Sequence, residues 1–171
     1  AFPERQGVLF DRAGVVEMAE RAWKNGEEPF SRPSSQSGSA PLSRVSFRKG
    51  DFFQMASFPE ARENDLFLLR NILHDWDAAG VKKILANVRG AIGDTSDATL
   101  LIGECAMPER SVVGVPPVMY NIDLHMMAAF GEEAQERSPS EWQEALKEAG
   151  FEMVRIWGTR SFLHWVEAKP I

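Results

Sequence analysis

Two short apolar runs, DLFLLRNI at residues 65–72 and ATLLIGEC at residues 98–105, bracket a helical stripe of Val81, Ile84, Leu85, Val88 and Ile92. This order constrains the chain more than any other feature. A parallel strand buried on both faces has an unbroken apolar centre, and it reaches its parallel neighbour only through a crossover, usually a helix. Asp77 offers the helix a cap and Gly93 a stop. The same alternation extends outward. GVLFD (residues 7–11) reads as a strand, and Val15, Val16, Ala19, Ala22 and Trp23 then fall on helical spacing. RVSFRKGD (residues 44–51) alternates Val45 and Phe47 with polar neighbours, as a strand with one wetter face does. Downstream, residues 118–130 form an apolar, methionine-rich helix. Ser138-Pro139-Ser140-Glu141 is a capping box that opens a helix ending at Gly150. Two strands near residues 152–158 and 161–168 close the pattern. Strand and helix alternating in this way predict an α/β fold with a mainly parallel sheet, its central strands covered on both faces.

In such sheets ligands bind beyond the carboxyl ends of the strands. Asp11, Asp51, His74 and Glu104 each lie at or just after a strand end. The net charge of −6 argues against nucleic acid as a partner, since phosphate recognition needs clustered Lys and Arg. No apolar run approaches the roughly 20 residues of a membrane span, so no membrane partner is expected. The single cysteine, Cys105, excludes an internal disulfide and a cysteine-based zinc site, and fits a reducing, cytoplasmic setting. The three histidines show no metal-ligand spacing, so no metal is expected. Residues 27–43, with three prolines, six serines and one glycine, have little to bury and read as a mobile surface insertion.

Four segments in order resemble the family of small-molecule O-methyltransferases that includes caffeic acid and acetylserotonin methyltransferases. They are FDRAGVVEMA (residues 10–19), KGDFF (49–53), LLRNILHDWD (68–77) and QERS (135–138). The resemblance runs from Phe2 to Ala168 apart from the serine-rich stretch. It implies a Rossmann-like class I methyltransferase sheet of seven strands, the last antiparallel, with helices on both faces. The family's first strand and its G-x-G-x-G loop are expected just before Phe2, between GVLFD and DLFLLRNI in the sheet. The family's amino-terminal domain, through which the full-length protein would form a homodimer, has no counterpart in this sequence. Residues 1–171 are therefore expected to be a partial catalytic domain that holds cofactor poorly.

The resemblance also implies chemistry: transfer of a methyl group from S-adenosyl-L-methionine to a hydroxyl, phenolic or similar, of a small molecule. His74 would be the base that removes the acceptor proton, with Glu104 and Glu136 as flanking acids that orient the imidazole. Asp11 would accept hydrogen bonds from the ribose, Asp51 and Phe52 would hold and cover the adenine, and Arg70 would lie near the cofactor. Met119, Met126, Met127 and Phe130 would wall an acceptor pocket, although a methionine-rich helix is also ordinary core. By residue type alone, His74 is equally a helix-capping histidine, and Asp11 and Asp51 are equally turn residues. Asp75 and Trp76 read as structural, for capping and packing. A non-catalytic binding module on the same fold is the alternative function. A nicotinamide-dependent reductase fits less well, because the chain has no glycine fingerprint and only one tyrosine, Tyr120.

Overall fold

The computed structural model describes residues 4–25, 44–94, 97–110, 117–131 and 134–171, and the serine-rich stretch at 27–43 lies outside them. The elements follow the order β1 (Gly7–Asp11), α1 (Ala13–Asn25), β2 (Val45–Lys49), β3 (Leu66–Arg70), α2 (Ala78–Ile92), β4 (Thr99–Cys105), α3 (Pro117–Phe130), α4 (Pro139–Glu148), β5 (Phe151–Gly158) and β6 (Leu163–Pro170). Single 3-10 turns occupy Met55–Ser57 and Leu73–Asp75. No helix among the described residues is long and apolar enough to cross a membrane.

The chain divides into two compact units, Ala1–Pro59 and Glu60–Ile171. In the first, β1 and β2 pair in parallel, with Gly7 opposite Val45 and Asp11 opposite Lys49. Val16 of α1 and Phe58 are buried. Phe10 stacks on Phe58 with ring centres 4.7 Å apart, and Trp23 meets Phe47 edge-on at 6.0 Å. Gly50 follows β2 where any Cβ would lie 2.1 Å from the Phe10 ring, so only glycine passes here.

In the second unit the strand order is β3-β4-β6-β5. β3 and β4 are parallel, while β6 runs antiparallel to both β4 and β5. Three strands therefore point one way and the last runs against them, as the resemblance implies. The α2 stripe is fully buried, and so are Trp142 and Leu146 of α4. They share the core with Leu100 and Ile102 of β4, Phe151 of β5, and Val166 and Ala168 of β6. Asp77 caps α2 by accepting from the Gly80 N–H, and Gly93 ends it at φ 59°. The capping box at Ser138 and Glu141 forms in both directions.

The expectation that β3 is covered on both faces is corrected. Leu66 and Leu68 are 56% and 55% exposed, whereas Phe67 and Leu69 are only partly so. β3 is also an edge strand. β1 and β3, which the resemblance places on either side of one further strand, belong to separate sheets.

Candidate active site

The site is built where β3 ends. Asn71 adopts a left-handed backbone (φ 52°), which asparagine tolerates better than most residues. Its own N–H still donates to Gly103 of β4 at 3.1 Å. The chain then turns so that the N–H groups of Ile72 and Leu73 both donate to Glu104 Oε1, each at 2.9 Å. Glu104 closes the fully buried face of β4 and is itself 0% exposed. A carboxylate so deep is held by these two charge-assisted hydrogen bonds to Oε1. Its second oxygen, Oε2, faces His74 Nδ1 at 3.1 Å.

Glu136 reaches the same nitrogen from the segment before α4. Its Oε1 accepts from His74 Nδ1, also at 3.1 Å. That segment runs alongside the end of β4 through an Ala106–Arg137 bridge, with Met107 N–H donating to Arg137 O at 3.0 Å. The Glu136 N–H donates to Asp123 Oδ1 on α3 at 3.0 Å, and the Gln135 N–H donates to His74 O at 3.1 Å. His74, Glu104 and Glu136 thus form one cluster, with a single imidazole N–H facing two carboxylates.

The electrostatics follow from that geometry. Hydrogen bonding to Glu104 and then to Glu136 raises the His74 pKa to about 10, against burial, which lowers it. Burial pushes the Glu136 carboxyl above its ordinary range, and the histidine only partly offsets this. The neighbouring Cys105 thiol is driven up to about 12, first by burial and then by Glu136, Asp123 and Glu104, so it is no nucleophile at neutral pH. The three ligand-type atoms lie within 4.8 Å of one another. The 3.1 Å separations around a ring N–H are hydrogen-bond lengths, and we read the cluster as holding a proton rather than a cation. Nδ1 is engaged by the two acids, and Asp75 Oδ1 stands 3.4 Å from the other ring nitrogen, Nε2. The cap of α2 is Asp77, as expected, and Asp75 stands beside the histidine instead.

In the first unit, Asp11 and Asp51 lie at neighbouring strand ends, joined by Gly50 N–H donating to Asp11 O at 2.9 Å. Asp11 Oδ1 accepts from the Arg12 N–H at 2.7 Å. Asp51 is occupied as a turn residue: its carboxylate accepts from Phe53 N–H and Gln54 Nε2, and its N–H donates to Ser57 Oγ. Phe52 is half-buried, with the Phe53 ring 5.0 Å away. Arg70 closes β3, four residues before His74, on the exposed face. Along α3, Met119 and Met126 are buried and Met127 is half exposed. The Phe130 side chain lies outside the described residues.

Two participants escaped the sequence reading. Asp123 is the only acid or base other than His125 in the mainly apolar α3, and it is half-buried. Arg137 sits inside QERS and is 3% exposed. Its Nη1 donates to Leu73 O at 3.0 Å and its Nη2 to Trp76 O at 2.7 Å.

The O-methyltransferase domain model matches residues 1–152. The chain is 33% identical over 170 residues to the phenazine O-methyltransferase PhzM of Lysobacter antibioticus, covering 99% of this chain and 42% of that protein. It is 31% identical over 158 residues to the 8-amino-8-demethylriboflavin N,N-dimethyltransferase of Streptomyces davaonensis, covering 91% and 38%. Among solved structures, that of LaPhzM matches with a TM-score of 0.77 at 33% identity, over 99% of this chain and 44% of that one. CalO1, a methyltransferase of calicheamicin biosynthesis in its SAH-bound form, matches at 0.71 with 26% identity, over 97% and 42%. The chain thus spans less than half the length of these relatives.

Proposed function

The chain belongs to the O-methyltransferase domain family, and on that premise we propose that it carries the proton-accepting half of an S-adenosylmethionine-dependent transfer to a small-molecule hydroxyl. The observation that carries this reading is the convergence of Glu104 and Glu136 on one ring nitrogen of His74, both at 3.1 Å. Two carboxylates on Nδ1 fix the tautomer and leave Nε2 to meet an acceptor, the division of labour that a histidine base needs. A non-catalytic module has no use for a buried base with two orienting acids.

When bound, S-adenosylmethionine supplies an electrophilic methyl group on a good leaving group. Residues of the first unit fit such a ligand in kind, with the Asp11 carboxylate at the end of β1 for a ribose diol and Phe52 for a flat base; Arg70, in the second unit, is a candidate on the resemblance alone. Asp51 supports this through the turn that carries Phe52 rather than with a free carboxylate. His74 then takes the acceptor's proton at Nε2, and Glu104 and Glu136 stabilise the imidazolium. Hydrogen bonding to the two carboxylates raises the proton affinity of His74 well above that of a free imidazole. The same affinity keeps Nε2 occupied at neutral pH. Turnover is therefore expected to rise with pH through the neutral range and to level off near the His74 midpoint. Met126 and Met127 of α3, with Phe130, are the proposed acceptor wall, because α3 is tied to Glu136 through Asp123. In the full-length protein we place the homodimer contact outside these residues.

The test is a pair of variants of the full-length protein. His74→Ala should keep its affinity for S-adenosylhomocysteine while turnover falls about 10²–10⁴-fold, the usual worth of a general base. Asp11→Ala should do the reverse, weakening affinity by about 1.5–3 kcal/mol for a lost charge-assisted hydrogen bond. Equal turnover of His74→Ala and wild type, measured as methyl transfer, removes His74 from the mechanism; unchanged affinity of Asp11→Ala leaves Asp11 a turn residue.

A further inference from the structure

We infer that Arg137 is a positioning residue for His74: its buried guanidinium clamps the carbonyl oxygens on either side of the histidine, and its fixed charge balances the carboxylate pair. The inference rests on the reading of His74 as the base and deepens it.

The geometry is specific. Leu73 and Trp76 flank His74 in the turn, and their carbonyl oxygens are accepted targets of Nη1 at 3.0 Å and Nη2 at 2.7 Å. Nη1 also reaches Gln135 O at 3.3 Å, on the segment that delivers Glu136. One planar group therefore ties the histidine's turn to the acid's segment. The face of the guanidinium lies over the Trp142 ring, 5.6 Å from its centre. Arginine's rigid fork suits two diverging carbonyls, and lysine's single ammonium does not.

The charge matters as much as the clamp. None of the ion pairs among the described residues involves Arg137. Burial lowers its pKa, and Glu141, Glu104, Glu136 and Asp77 act at longer range to hold it up. The titratable and charged groups around the cluster are His74 and Asp75 on the turn, Glu104 and Cys105 on β4, His164 opposite Glu104 on β6, Asp123 on α3, Glu136 and Glu141 around the start of α4, and Asp77 at the cap of α2. Arg137 and protonated His74 are the cations set against the two buried carboxylates. Removing a fixed positive charge raises the proton affinity of every group it faces, so the coupled titration of the cluster moves up as a whole.

Two variants of the full-length protein separate clamp from charge. Arg137→Lys keeps the charge and loses one carbonyl: kcat should fall roughly 10- to 100-fold, as small misplacements of a reacting group do, with the KM for S-adenosylmethionine and the pH profile of turnover unchanged. Arg137→Gln loses the charge as well, so the pH at which turnover levels off, and the titration of the His74 ring signal followed by NMR, should both move upward. Circular dichroism and thermal melting establish that each variant is folded. If Arg137→Gln does not fold, Arg137→Lys decides alone: wild-type kcat overturns the inference. An unmoved pH profile and His74 signal in folded Arg137→Gln also overturn it. Because the NMR titration needs no turnover, it judges Arg137 even if His74→Ala proves active.

Discussion

The sharpest consequence at the scale of single residues is the proton that His74 holds. Its midpoint in the folded chain, about 10, lies above the ordinary histidine value near 6.5. The bound proton therefore stabilises the fold fully below about pH 6.5, and that contribution is lost as pH rises through about 10. Glu136→Gln keeps the shape of the side chain and removes one of the two carboxylates. The His74 midpoint, read by NMR, should drop by about 1–3 units, the usual effect of one adjacent opposite charge. Thermal stability should then begin to fall at a correspondingly lower pH. A midpoint that stays near 10 would mean that Glu104 alone holds the proton. His74 and Glu104 were legible because one follows an apolar strand and the other stands near the end of one, where polar residues stand out. Glu136 was legible only through the QERS resemblance. Arg137 was hidden, because burial of a guanidinium depends on carbonyl groups that converge only after folding. The cap at Asp77 was legible from its place before the apolar stripe, whereas the contact of Asp75 with His74 depends on the turn at Leu73–Asp75.

Helices and strands were easier to read than the site they carry, since their signals are local. The stripe on α2, the stop at Gly93 and the capping box at Ser138 all depend on neighbours within a turn or two. That box also holds the Glu136–Arg137 segment at its helix end. The Ser138 N–H donates to Glu141 Oε2 at 2.8 Å, and Ser140, through its N–H at 2.8 Å and its hydroxyl at 2.7 Å, donates to Glu109. Ser138→Ala should cost about 1 kcal/mol in denaturant melts while leaving the His74 titration in place. A loss much below that value would show that Glu109 caps the helix without Ser138. Gly103 is a strand glycine of the kind that signals close approach: a Cβ there would lie 2.4 Å from the Trp165 ring opposite it. Its neighbour could not be named from the sequence, because β6 pairs with β4 across about 60 residues of chain.

For the molecule as a whole, α/β alternation announced the architecture, and the reversed final strand came from the resemblance. Exposure of one β3 face was not legible, since an unbroken apolar run looks the same whether or not both faces are covered. The edge position of β3 has a further consequence in the time domain of amide exchange. Asp65 O accepts from Thr99 N–H and the Asn71 N–H donates to Gly103 O, so the odd-numbered residues of this segment turn their backbone groups toward β4. The N–H groups of Leu66, Leu68 and Arg70 point the other way. In deuterated buffer these three amides should exchange far faster than those of Phe67 and Leu69, in an every-other-residue pattern, while β4, paired on both sides, protects all its central amides. Repeated on a protein of the relatives' full length, the same alternating amides become a clock for any further strand at this edge. If a further strand pairs along β3, the fast amides slow to match the others; if they stay fast, the edge of this sheet is open to water in the complete protein.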